Sequence, residues 1–398
     1  MSEPVQDNAL LKRKTRKNRA PDGTAVESGP AILFFSGGSA LRGLSRHLVQ
    51  HTHNSIHLIT PFDSGGSSAS IRSAFDMPAV GDLRNRLVAL ADPSISGRPE
   101  IFRLLVHRLD TTACNADLRE QLRDLCSGRH RLMFGIPRQD AEVICRLMSH
   151  LEAELPTDFD LRGASVGNLL IAGDYLENGR QLEPALTRFS RLIGTRGTVV
   201  PIVQDNLHLV AELEDGTLLV GQHRITGKET RPITSPIRRM WLTSDTNCPD
   251  PASSRIQTSV EKLIVEADLI CFPMGSFYTS LVANLLPSGV GKAVANAKCR
   301  KVYIPNLGHD PESLGLSLFE ASRRLLSALE DDAGLPNTTG RLLNDVLVDS
   351  TSGHYPGTLS VDRFRQLGVQ IIDAPLVTSQ SAPLLDDDLL IGRLLSLV

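Results

Sequence analysis

Aromatic side chains make up only 4% of this 398-residue chain, with a single tryptophan, and neither sign of charge dominates. A formal net charge of −3 and a pI near 6.4 exclude a protein that holds nucleic acid or an anionic membrane by bulk electrostatics. Nucleic acid is therefore not an expected partner, and any anionic ligand must be gripped locally. The six cysteines, at 114, 126, 145, 248, 271 and 299, include no CxxC pair and no histidine at zinc-finger spacing. They read as reduced, mostly buried thiols. No stretch reaches the roughly 18 uninterrupted apolar residues of a membrane span, so no membrane partner is expected. Walker A, GxGxxG and HExxH patterns are missing, and no Ser-His-Asp order links His208, His309 or His354. Nucleophilic and zinc catalysis are thereby disfavoured.

What is present begins with a polar stretch, residues 1–29, that carries the basic run Lys12-Arg13-Lys14-Thr15-Arg16-Lys17. It lacks the apolar segment of a secretory signal and reads as a disordered tail. The protein is expected to be cytoplasmic and to form a homo-oligomer.

Residues 30–398 read as one α/β domain. Ala31 to Phe35 is an apolar run, Ser36-Gly37-Gly38-Ser39 breaks it, and Leu41, Leu44 and Leu48 then follow helical spacing. The unit repeats at once as Ser55–Thr60, Asp63-Ser64-Gly65-Gly66-Ser67-Ser68 and a helix from Ala69 to Phe75. Tandem β-loop-α units predict parallel pairing with right-handed crossovers, hence a Rossmann-like, doubly wound, mostly parallel sheet. A helical insertion is expected over about 92–160. A strand-rich, antiparallel or mixed section is expected over about 198–245, with Glu214-Asp215-Gly216 as a hairpin turn. Alternation resumes with strands at 268–272, 301–305, 345–348 and 369–372.

The glycine loops are the candidate site. Gly37, Gly38 and Ser39 stand between a strand and a helix, where backbone amides can face an anion, although a bare strand-to-helix turn has the same sequence. A bulky residue at Gly38 is expected to abolish binding with modest loss of stability. Asp63 suits Mg²⁺ or a hydroxyl, and Ser64, Gly65, Gly66, Ser67 and Ser68 suit phosphate; helix capping is the alternative reading. Asp82 is either an N-cap or part of the site, while Arg84 offers a fork for phosphate or carboxylate and Asn85 an amide for a base or sugar. Gly275 and Ser276 close a later strand, where hydroxyls and free N–H groups suit a second phosphate.

Taken in order, these loops, the stretch Gly81-Asp82-Leu83-Arg84-Asn85-Arg86-Leu87-Val88-Ala89-Leu90, and Ser165-Val-Gly-Asn-Leu169, His208–Leu213 and Gly275–Ser280 resemble the CofD family. The loops are closest to its YvcK branch, and the resemblance covers Ala31 to Leu329. It implies a nucleotide or nucleotide-diphosphate conjugate as ligand, with two kinds of activity. CofD proteins are Mg²⁺-dependent phosphoryl-lactate transferases, and YvcK proteins are UDP-sugar-binding regulators of carbon metabolism and cell-envelope synthesis. The transferase is the leading expectation and the regulator the alternative; under the transferase reading Asp63 would hold the metal or orient the acceptor, and Asn168 with Arg84 would contact sugar or base. The chain departs from the family pattern at Ser39 and at Phe62, where an acidic residue commonly precedes the aspartate; that departure favours the regulator.

Overall fold

The computed structural model describes residues 26–91, 98–227, 230–337 and 340–398. The basic run at 12–17 lies outside them. Val26 to Gly29, grouped above with the tail, is docked instead: Val26 is 2% exposed, and its carbonyl accepts from the N–H of Gly29 at 3.3 Å and of His53 at 3.0 Å. One apolar side chain with a surface to cover and two backbone hydrogen bonds is enough to hold this short turn.

In chain order the strands are β1 (Ile32–Ser36), β2 (Ile56–Ile59), β3 (Thr198–Pro201), β4 (His208–Leu213), β5 (Leu218–Val220), β6 (Ile237–Thr243), β7 (Leu269–Phe272), β8 (Arg300–Tyr303), β9 (Asp345–Val348) and β10 (Gln370–Asp373). Seven form one sheet in the order β10-β9-β8-β7-β1-β2-β3, and every neighbouring pair in it is parallel. The rest form a small antiparallel sheet, β5-β4-β6. This is the doubly wound α/β architecture that the tandem units predict. β3, expected in the strand-rich section, belongs to the main sheet. It is fed by a helix, and a chain leaving a parallel sheet through helices returns to it in parallel.

Each strand of the centre is covered on both faces, as an all-parallel sheet requires. In β1, Ile32 and Phe34 point to one core and Leu33 and Phe35 to the other, following the two-residue period of a strand. Phe35 stacks on Phe272 of β7 with centroids 5.3 Å apart, and Phe34 stacks on His57 of β2 at 5.2 Å. Burial of each such phenylalanine contributes about 2–3 kcal/mol. Burial also holds His57 well below the ordinary histidine range, so it is a neutral core residue.

Helices α1 (Arg42–Leu48), α2 (Gly66–Phe75) and α3 (Gly81–Ala89) follow the first two strands. α4 (Pro99–Val106), α5 (Asn115–Cys126) and α6 (Arg138–Glu154) occupy the expected helical stretch, and α7 (Val166–Glu177) and α8 (Leu182–Ile193) extend it. All five pack with α3, Ile59 and Val199 in one hydrophobic cluster at the β2–β3 end of the sheet. α9 (Gln222–Thr226) follows β5, and α10 (Thr258–Val265), α11 (Val290–Asn296) and α12 (Leu318–Ala333) cover the second half; α13 (Val361–Gln366) and α14 (Asp387–Leu395) close it. Among the described residues no helix is long and apolar enough to cross a membrane. The cysteines are free, but only Cys271, in β7, is buried, while Cys114 and Cys248 are exposed. The expectation of mostly buried thiols fails because these two sit in surface connections and not in strands.

Candidate functional site

β1 and β7 are neighbours whose chains depart to opposite sides of the sheet, so the crevice between their C-terminal ends is the topological switch point. Two loops frame it: Ser36 to Ala40 after β1, and Pro273 to Ser276 after β7. Gly37, Gly38, Ser39, Asp63, Gly65, Asp82, Gly275 and Ser276 line one polar cleft there, open to solvent.

The first loop is held from below. Arg86 of α3 has no exposed surface; its Nη1 donates to the Leu41 carbonyl at 2.8 Å and to the Ser45 hydroxyl, and its Nη2 donates to the Gly37 carbonyl at 2.8 Å. Burial lowers the Arg86 pKa to about 10, with Asp82 opposing. Asn284 ties the same loop to the other side, donating from Nδ2 to the carbonyls of Ser36 at 3.2 Å and Ser280 at 2.6 Å. With its carbonyls so engaged, the loop leaves the N–H groups of Gly38, Ser39 and Ala40 without an acceptor among the described residues. Convergent free amides at the end of a parallel strand are what an oxyanion needs.

Two carboxylates face these donors. A Cβ on Gly38 would lie 2.6 Å from Asp82 Cγ and 2.8 Å from its Cα, so the loop backbone runs directly against the first turn of α3. Asp63 Oδ1 accepts from the Gly65 N–H at 3.1 Å, and its Oδ2 is 3.3 Å from where a Cβ on Gly81 would sit. Among the described residues no group of three His, Cys, Asp or Glu is placed to hold a metal ion. Two carboxylates suit Mg²⁺ nevertheless, because that ion keeps several waters and takes its remaining ligands from substrate phosphates. Phe62 is fully buried in the core below the loop, so it adds no ligand to the cleft beside Asp63.

The loop after β7 departs from expectation. Four of its backbone donors are taken: the Gly275 N–H donates to Asn306 Oδ1 at 3.0 Å, that of Phe277 to Asp310 Oδ2 at 2.7 Å, and those of Tyr278 and Thr279 to Glu312 Oε2 at 3.0 and 2.8 Å; the Ser276 N–H has no acceptor among the described residues. Residues Phe277–Leu281 form a π-helical turn whose start is occupied by the protein's own carboxylates, so no second phosphate is received on those amides. Burial, with Asp310 nearby, raises the pKa of Glu312 above the usual carboxylate range.

The other expected residues lie around the cleft and not in its lining. Ser64 accepts from the His223 N–H at 3.2 Å and shares a 2.8 Å hydrogen bond with His223 Nδ1. Gly66 starts α2. Ser68 is buried, its Oγ filling the space a Cβ on Gly81 would need. Arg84 turns toward α7, donating from Nε to Asn168 Oδ1 at 3.2 Å, and Asn168 Nδ2 donates to Ser67 Oγ at 3.4 Å. Asn85 is half-buried on α3 outside the cleft.

Sequence reading missed Gln222, His223 and Thr226 of α9, which wall the cleft from the small antiparallel sheet. The available signal was a polar segment bracketed by Gly221 and Gly227, both with positive φ, 96° and 64°.

Comparison with known proteins identifies the family and the fold. The family model for 2-phospho-L-lactate transferase CofD matches residues 32–377. The gluconeogenesis factor of Bacillus subtilis is 27% identical over 362 residues, covering 88% of this chain and 92% of that protein. That of Halalkalibacterium halodurans is 29% identical, covering 88% and 90%. A crystal structure of a UPF0052 family member from Bacillus halodurans superposes with a TM-score of 0.64 at 25% identity, covering 92% of this chain and 99% of the other. With the switch-point loops falling inside the matched region, the chain belongs to the CofD family.

Proposed function

We propose that the cleft binds the diphosphate of a nucleotide conjugate, with the amides of Gly38, Ser39 and Ala40 as its oxyanion donors. The observation that carries this reading is the set of free amides at the switch point, facing Asp63 and Asp82. Family membership supports a nucleotide-type ligand. A neighbouring hollow shares Met274 and Gly275 with the cleft and adds Tyr303 and Tyr355, an aromatic wall suited to a base.

Mg²⁺ held by Asp63 and Asp82 would offset phosphate charge. In the transferase reading Asp63 also orients an acceptor hydroxyl: a bond forms between the acceptor oxygen and phosphorus as the bond to the nucleotide leaving group breaks. The proton of the hydroxyl passes to the Asp63 carboxylate. A second reading, compatible with the name gluconeogenesis factor that the curated relatives carry, is a regulator that binds the same ligand without turnover.

Calorimetric titration of GDP and UDP-sugars, with and without Mg²⁺, tests the shared claim. Wild type should bind at least one, and Ser39→Leu should lose it. Mass-spectrometric product detection across donor and alcohol-acceptor panels separates the two readings. A transferase should make product that Asp63→Asn reduces by roughly 100-fold. No product from wild type, with ligand bound, leaves the regulator.

A further inference from the structure

Three arginines gather beside the cleft without a carboxylate of their own. Arg84 is 6% exposed, and only its Nε is engaged, by Asn168. Its Nη1 and Nη2 have no hydrogen-bond partner among the described residues, yet neither is sealed from solvent. Arg108 donates from Nη1 to Ser67 Oγ at 3.3 Å and to the Gly163 carbonyl at 3.1 Å. Ser67 thus touches both Arg108 and Asn168, which places Arg84, Asn168, Ser67 and Arg108 in one hydrogen-bonded cluster. Arg42, at the start of α1, is close enough to act on Arg84 with like charge. Among the described residues none of the three arginines makes an ion pair, and the carboxylate that acts on Arg84 is Asp82 of its own helix.

Helix geometry adds to this. Ser67 stands in the first turn of the ten-residue α2, where the N–H groups of Gly66, Ser67 and Ser68 have no acceptor among the described residues. An Arg84 guanidinium with idle Nη donors, two further cations and three helical amides without acceptors together turn donors of one sign toward solvent, where an anion can replace water. Burial first, then Arg108 and Arg42, lower the Arg84 pKa to about 10, but the site rests on the geometry.

We propose that Arg84, Arg108 and Arg42, with Ser67, form a second oxyanion subsite, separate from the β1 loop, that receives a phosphate group. Two guanidinium forks and a third cation match the charge and the several acceptor oxygens of a phosphate better than those of a carboxylate. The subsite stands apart from the nucleotide reading, because inorganic phosphate alone is enough to probe it.

The test is calorimetric titration of inorganic phosphate into three proteins: wild type, Ser39→Leu, which crowds the β1 loop, and Arg42→Gln/Arg108→Gln, which changes two exposed side chains. Wild type should bind phosphate saturably, Ser39→Leu should keep that affinity within about twofold, and the double variant should weaken it by about tenfold or more. Should the double variant not fold, Arg108→Gln alone should still weaken binding by about threefold. The proposal is overturned if wild type shows no saturable binding, if Ser39→Leu loses it while the arginine variants keep it, or if all lose it equally. Phosphate binding with this pattern in a protein that takes no nucleotide would sink the nucleotide reading and leave the subsite.

Discussion

Arg86 shapes the cleft without reaching it. Its two Nη groups satisfy the carbonyls on which the β1 loop turns, so the loop's free amides owe their direction to a residue 49 positions away from Gly37. Arg86→Leu keeps much of the volume but leaves two buried carbonyls without donors. It should cost about 2–5 kcal/mol in urea unfolding and weaken ligand binding as well. A variant as stable as wild type would show that water replaces those bonds. Gly38 carries a related lesson. The sequence makes its glycine legible as a close approach to ligand, whereas the structure shows a close approach to Asp82 of its own chain. A valine there would push on the α3 backbone, an overpacking worth about 1–3 kcal/mol, so the expected modest effect on stability does not hold. Ser39, exposed and pointing into the cleft, is the cleaner probe.

At the scale of elements, periodicity made the strand-loop-helix units readable, because buried parallel strands are short apolar runs and their loops are rich in glycine and serine. What it could not show is which amides remain free. Four of the donors after β7 are consumed by Asn306, Asp310 and Glu312, some thirty residues on, and no local pattern announces such a contact. The same holds for His208. Its spacing in β4 says strand, but burial and then Arg72 lower its pKa to about 4. The unfolded chain takes up this proton near pH 6.5, which the native state refuses until about 4. This histidine therefore costs nothing above pH 6.5, and stability falls as pH drops from there toward 4. His208→Asn should shrink the loss of melting temperature between pH 7 and pH 5; identical losses in both proteins would exclude this group as the cause.

For the whole molecule, the parallel pairing was legible in two tandem units near the N-terminus, whereas the order of the seven strands was not, because it depends on crossovers that no local pattern records. Truncation belongs to this scale. Because Val26 docks, the dispensable segment ends at residue 25. Removing residues 1–25 should leave the thermal midpoint and ligand affinity nearly unchanged, while a cut at 28 should lower the midpoint. A large drop from the shorter cut would show that the basic segment contributes to the fold.

The wall that sequence reading missed has a further consequence. α9 touches the main-sheet loop through Ser64 and His223, yet it is continuous with β5 and lies against β4 of the small sheet. An occupant of the cleft therefore presses on a piece of structure that the parallel sheet does not own. Local opening of residues 221–227, pivoting on two glycines, must become rarer when the cleft is filled. Amide exchange followed by mass spectrometry should show ligand-dependent slowing in 221–227 and in β4, and little at β10, on the far edge. Uniform slowing along the chain would mean that the ligand stabilises the fold only globally; slowing confined to this segment would make the small sheet the place where the rest of a cell can sense that the cleft is full.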